Sequence, residues 1–202
     1  MEFEANSKNE IIFVDGAELS LSRKQKNLLS SAAAHFIDCF SIETELDVYI
    51  SKKSVLHKNA GASALAWHMA PQYSRKNHIV CVFVDPEESL KSMVISLAHE
   101  IIHAWQVERG DFDPPMWKGE DYSSYPYLLQ PWELEAFNFM EAAAGYYFND
   151  SYPSFAELEA VMSQTATACE EVRKNVGTAS LKSKIKKVSA VAGMVGLAVL
   201  IS

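Results

Sequence analysis

Ala98-His99-Glu100-Ile101-Ile102-His103-Ala104-Trp105-Gln106 decides how the rest of the chain is read. On an α-helix, residues four apart stand one turn above each other, so His99 and His103 share a face with Glu100 beside them. This is the pattern His-Glu-x-x-His, in which two imidazoles bind a zinc ion and the glutamate serves as general base on a water that the metal activates. The pentapeptide also arises in ordinary helices, where it amounts to two histidines and a solvated acid. A third ligand elsewhere in the chain separates the two readings.

Working outward, Asp85-Pro86-Glu87-Glu88 has the composition of a helix start: a capping acid, a proline suited to the first turn and charges suited to the dipole. From there Leu90, Val94, Leu97, Ile101 and Ala104 form one apolar stripe, which predicts the core-facing side. Ser92, Ser96, His99, His103 and Gln106 form another stripe, which predicts a polar cleft, and Gly110 suits the helix end. Upstream, the segment 11–14 followed by Asp15-Gly16 predicts a strand and turn, and residues 20–40 carry apolar positions at helical spacing. Leu46, Val48 and Ile50 alternate with Asp47, Tyr49 and Ser51, residues 62–69 predict a further strand, and 79–84 form a continuous β-branched run. Downstream, 111–130 is rich in Pro, Gly, Asp and Tyr without a period. Pro131 then opens a helix over 132–148, and Pro153 or Ser154 opens another that runs to about residue 175. These elements predict an α+β fold: a small mixed sheet packed on helices, with the His-Glu-x-x-His helix followed by a Glu-bearing helix. Residues 1–176 form one expected domain, with 177–202 as a tail.

Composition limits the function classes. The 202-residue chain is 49% hydrophobic, enough for a core, and its formal net charge of −8 supplies no basic field for nucleic acid. Cys39, Cys81 and Cys169 are odd in number and widely spaced, as expected of free thiols in a reducing compartment. The polar, acidic start lacks the pattern of a secretory signal, which predicts a cytoplasmic protein.

The third ligand must be a carboxylate, because no histidine follows His103. The metzincin extension would need Gly where Gln106 stands and His where Arg109 stands. Glu108, nine residues after His99, faces about 180° away on the same helix. Asp111, Asp113, Glu120 and Asp121 fall in the irregular segment. Glu133 and Glu135, two residues apart, cannot point the same way. Glu133 shares a core-facing stripe with Ala136, Phe137, Met140 and Ala144, where a carboxylate without a cation would be costly. Glu135 shares its stripe with Asn138 and is easier to leave in water. Glu133 is therefore the expected ligand, with Glu135 as the alternative.

His99 to Gln106, Trp117-Lys118-Gly119, Tyr125 and Pro131-Trp132-Glu133-Leu134-Glu135-Ala136 together resemble the small zincin-like metallopeptidases of phage and bacterial genomes. The Glu-x-x-Ala of Glu133 to Ala136 also resembles the third-ligand helix of gluzincins. The resemblance spans about residues 45–145. It implies a minimal zincin-like domain, zinc held by His99, His103 and Glu133, and hydrolysis of peptide or protein substrates with Glu100 as base.

Zincins often add an oxyanion donor, and among Tyr122, Tyr125 and Tyr127 the expected one is Tyr125. Gln106, one turn beyond His103, is expected to fix a ligand or to contact substrate. Trp105, Trp117 and Trp132 are expected to wall the core and loop. Lys118 is a possible partner for an outer acid such as Glu135. His35, His57, His68 and His78 lack metal spacing and are expected to be structural or on the surface, although an edge strand at His68 would suit pairing with an extended peptide. The competing class is a non-catalytic, zinc-stabilised binding protein, which has no use for Glu100 as a base.

Lys182, Lys184, Lys186 and Lys187 precede an apolar run over 188–201. As a helix that run reaches about 21 Å, short of the roughly 30 Å hydrocarbon core. Basic residues beside an apolar end suit contact of 182–202 with an anionic membrane surface, or a helix packed on the domain. A tail-anchored interaction protein is the class that rests on this segment.

Overall fold

The computed structural model describes residues 10–13, 21–52, 66–69, 78–84 and 88–176. Strand β2 (Leu46–Lys52) realises the expected alternation, with Leu46, Val48 and Ile50 fully buried and Asp47 and Tyr49 half-buried between them. It pairs in parallel with β1 (Glu10–Phe13) on one side and with β4 (His78–Val84) on the other. The β2–β4 register sets Val48 opposite Val80 and Ile50 opposite Val82, so the buried residues of both strands share one face. Strand β3 (Ala66–Met69) runs antiparallel to β4, giving the order β1-β2-β4-β3 with β3 at an edge.

Helix α1 (Arg23–Cys39) opens with a capping box. The Gln25 N–H donates to Ser22 Oγ at 3.2 Å, and the Ser22 N–H donates to Gln25 Oε1 at 2.8 Å. Helix α2 (Leu90–Glu108) is capped by Ser89, whose Oγ accepts the Ser92 N–H at 3.0 Å. The cap expected at Asp85 is thus displaced to a hydroxyl nearer the first apolar residue; residues 85–87 lie outside the described residues. Gly110, at φ +71°, ends α2 as its position predicts.

Helix α3 (Pro131–Phe148) carries its proline in the first turn, and α4 (Phe155–Val176) follows Ser154, which forms a second capping box with Glu157. The sheet's buried face, α1 and α3 enclose α2 in one hydrophobic core, in which Leu97, Ala98, Ile101, Ile102 and Ala104 are fully buried. The fold is α+β, with a mixed sheet and helices.

The segment expected to be irregular contains a second sheet: β5 (Phe112–Asp113), β6 (Met116–Trp117) and β7 (Glu120–Asp121), in antiparallel order, then a 3₁₀ turn at Tyr127–Leu129. Lys118 and Gly119, both at positive φ, make the two-residue connection between β6 and β7. Phe112, Trp117, Tyr122 and Trp132 form a separate aromatic cluster beneath it.

Among the described residues no helix is long and apolar enough to cross a membrane. The tail expectations for 177–202, the Asp15-Gly16 turn and His57 lie outside the described residues.

Candidate metal centre

The polar stripe of α2 runs from solvent into the interior. Ser92 is exposed, Ser96 half-buried, His99 8% exposed, His103 5% and Gln106 0%. The stripe expected to face a cleft is therefore buried from His99 onward, and its C-terminal end is covered by α3 and the second sheet. The two imidazoles stand edge to face, centroids 4.9 Å apart. One nitrogen or oxygen from each of His99, Glu100 and His103 lies within 4.8 Å of the others.

Glu133, in the first turn of α3, brings its carboxylate to the same place. Oε2 lies 3.2 Å from His99 Nε2 and Oε1 3.5 Å from His103 Nε2. Oε2 is buried, and despite that contact it is not aligned with any hydrogen-bond donor among the described residues. A buried carboxylate oxygen without a donor, beside two imidazole nitrogens, is a donor set that fits a divalent cation.

Two acids now compete for the role of third ligand, and their electrostatics separate them. Burial pushes Glu133 up, but His103, His99 and Tyr127 outweigh it and hold the carboxyl at about 2. Glu100 is pushed up to about 7 by burial, with His103 opposing and Glu133 adding to the rise. Its Oε1 lies 3.8 Å from His99 Nε2. A ligand must be ionised, which suits Glu133, whereas an acid poised near neutrality suits proton transfer.

The imidazoles diverge as well. Burial lowers His99, while His103 is raised to about 9 because Glu133, Glu100 and Gln106 overcome the burial that opposes its charge.

The surroundings correct several expectations. Tyr125 packs on Tyr122, with ring centroids 4.9 Å apart; the phenol that meets Glu133 is that of Tyr127. Tyr127 as a residue is 57% exposed, while its hydroxyl, pushed up first by burial and then by Glu133 and Glu100, is kept protonated. Gln106, fully buried, meets His103 rather than an open cleft: its Oε1 lies 2.8 Å from His103 Nδ1.

Glu135 is not left in water. It is 1% exposed, accepting from Arg109 Nη2 at 2.7 Å and from Gln106 Nε2 at 2.9 Å. Two residues apart, Glu133 and Glu135 do point in different directions, yet both point inward, one on each side of His103. Lys118 approaches Asp111 at 3.7 Å, and the cation that serves Glu135 is Arg109. Arg109 also pairs with Asp111 at 2.9 Å and lies 3.8 Å over the Trp105 ring.

Phe137, expected in the core, is 41% exposed and tilts against His99 with centroids 4.7 Å apart. Phe112 supports His103 from the other side at 5.9 Å and stacks on Trp132 at 4.7 Å. Trp105, Trp117 and Trp132 are buried walls, as expected. Glu108 faces away and ties the end of α2 to the main sheet, accepting from the Thr44 N–H at 2.9 Å with His78 Nε2 3.2 Å away.

Sequence reasoning overlooked Arg109. The signal was present, since His103, Gln106 and Arg109 recur at intervals of three along one helix face.

No protein family, curated protein or solved structure matches the chain.

Proposed function

We propose that this protein is a zinc-dependent peptidase of zincin-like architecture, with His99, His103 and Glu133 as metal ligands and Glu100 as the proton carrier. The observation that carries this reading is the pair of buried acids in one site. Glu133 spans both imidazole nitrogens at 3.2 and 3.5 Å, while Glu100 stays poised near neutrality beside them. Two neighbouring carboxyls whose environments drive them apart are what assigns acid–base roles in many hydrolases.

When bound, zinc supplies Lewis acidity that makes a water acidic near neutral pH and polarises a carbonyl. Glu100, desolvated more strongly than His103 compensates, takes up a proton readily and returns it to a leaving amine. The phenol of Tyr127, kept protonated and half in solvent, is placed to donate a hydrogen bond to oxygen charge that develops on a carbonyl. Phe137 covers His99 at the mouth, and Phe112 and Trp132 close the far side to water. The edge strand β3, packed beside α2, offers backbone groups for an extended peptide.

Elemental analysis of the purified protein, with casein and a mixed peptide library as substrates, tests the reading. About one zinc per chain is expected in the parent and in Glu100→Gln, little in His103→Ala, and hydrolysis in the parent alone. No zinc after reconstitution, or hydrolysis that survives in Glu100→Gln, overturns it.

A further inference from the structure

We infer that Gln106 is the positioning residue of this centre: its side-chain amide fixes the ring of His103 so that Nε2 is the free ligand nitrogen, and pins the backbone next to Glu133. The inference rests on the zinc reading proposed above and assigns a role to a buried amide that touches neither metal nor substrate.

The argument begins with the amide's orientation. Gln106 is completely buried, and its two ends are chemically opposite. Nε2 lies 2.9 Å from the Trp132 carbonyl oxygen and 2.9 Å from Glu135 Oε2. Arg109 Nη2, 2.7 Å from that same carboxylate oxygen, keeps Glu135 an acceptor. Only the NH₂ group can face two acceptors; turning the amide over would set its oxygen against two others in a dry interior.

The amide oxygen is therefore committed to His103 Nδ1, 2.8 Å away. An amide oxygen can only accept, so Nδ1 must carry the proton. The lone pair of the neutral ring is then at Nε2, the nitrogen that approaches Glu133.

The same NH₂ group holds the carbonyl of Trp132, the residue before Glu133. One side chain on α2 thus governs a ligand on its own helix and the placement of the ligand on α3. His99 is held differently: its Nδ1 is buried without a hydrogen-bond partner among the described residues, and its ring is seated by Phe137 and His103. The lock falls on one imidazole, and Glu135, Arg109 and Asp111 form its anchor.

The test uses the full chain and zinc itself. Gln106→Met keeps the volume and removes every hydrogen bond. The double variant Gln106→Glu with Glu135→Gln exchanges the two side chains, so that a carboxylate accepts from His103 and an amide faces Arg109. Zinc affinity is read by competition with a chromophoric chelator. In the metal-free chain, the His103 Nδ1–H is read as a slowly exchanging, downfield proton coupled to ¹⁵N. Outer hydrogen bonds of this type are worth about 10–100-fold in metal affinity, so Gln106→Met should bind zinc weaker by about that factor and lose the ring signal, with helical content unchanged. The exchanged pair keeps an acceptor for His103 Nδ1 but loses the donor to the Trp132 carbonyl, so it should recover the ring signal and only part of the zinc affinity. Zinc binding in Gln106→Met as tight as in the parent overturns the positioning role alone. Should that variant fail to fold, the exchanged pair decides: a retained ring signal with zinc still bound supports the role, and loss of the signal overturns it. A parent that takes up no zinc overturns the zinc reading, and the positioning role of Gln106 with it.

Discussion

Glu133 on α3 lies 3.2 Å from His99 on α2, and this contact is one of several polar links, with those of His103, Gln106 and Arg109, that cross an otherwise apolar helix interface. It places a charge where the surrounding core of Ala136, Phe139 and Ala98 would tolerate none. The interface manages a second buried acid, Glu135, by a different route, giving it an arginine and an amide. One helix turn therefore carries two acids with different duties: Glu133 faces the imidazole nitrogens, and Glu135 braces the amide that orients one of them.

Tyr127 and Tyr125 separate by function. Tyr127→Phe removes a phenol that faces Glu133 and should lower kcat by about 10²-fold, the usual scale for one oxyanion donor, with zinc content unchanged. Tyr125→Phe, on a ring that packs against Tyr122, should change kcat by less than about twofold. Steady-state kinetics on one peptide substrate compares them, and equal losses in both would remove Tyr127 from the reaction.

Arg109→Met leaves Glu135 as a buried acid with only an amide for support. Breaking one side of such a pair typically costs about 3–5 kcal/mol, and urea denaturation of the zinc-free chain should show a loss of that size. Arg109→Met combined with Glu135→Met should restore most of the stability, because an apolar pair of similar volume replaces both charges. A double variant no more stable than the single one would show that Arg109 acts through Trp105 or Asp111 instead.

The elements with a strong period were legible in the chain: α1, α2, α3, α4 and the alternating β2 all lie where spacing placed them. Glu133 was legible too, since an acid inside the Ala136–Met140 stripe conflicts with its neighbours unless it has a partner. The second sheet was not, because strands of two residues are too short to show alternation; its one local sign was Gly119 in a two-residue hairpin turn. Glu135 was misjudged for a physical reason. Its helix is enclosed on more than one side, so the face opposite Glu133 also meets protein, and the cation that makes this tolerable comes from α2 and not from its own helix. The choice between Tyr125 and Tyr127 depends on the 3₁₀ turn at Tyr127–Leu129, which a single turn's sequence does not announce.

Two glycines give opposite signs for the same substitution. An added methyl meets nothing within 4 Å at either Gly119 or Gly145, so sterics do not distinguish them. Gly119 sits at φ +80°, where an L-residue is strained, and Gly119→Ala should destabilise by about 1 kcal/mol. Gly145 lies within α3 at an ordinary helical φ, and Gly145→Ala should stabilise by about 0.5–1 kcal/mol. Thermal unfolding of the pair checks both, and a shift of the same sign in each would contradict the backbone argument.

His78 and Glu108 set part of the acid limit of the fold. Burial lowers His78, and its contact with Glu108 only partly offsets this. Its folded value therefore lies below the unfolded value of about 6.5. Below that pH the unfolded chain binds the extra proton first, so stability falls as pH drops from about 6.5 toward the folded value. Glu108 is also depressed: burial raises it, but the Thr44 N–H and His78 outweigh burial. Its contribution is present above about 4.3 and is lost as pH falls through its lower folded value. Glu100 and His103, both raised, titrate in the opposite sense over part of this range, so the test is a difference: from pH 8 to pH 5 the urea midpoint of the zinc-free parent should fall relative to that of His78→Gln, which keeps a donor for Glu108 but cannot titrate. The difference in slope for one proton is at most about 1.4 kcal/mol per pH unit. Parallel curves over that range would mean that His78 exchanges its proton equally easily in both states, and that burial at the end of α2 does not set its charge.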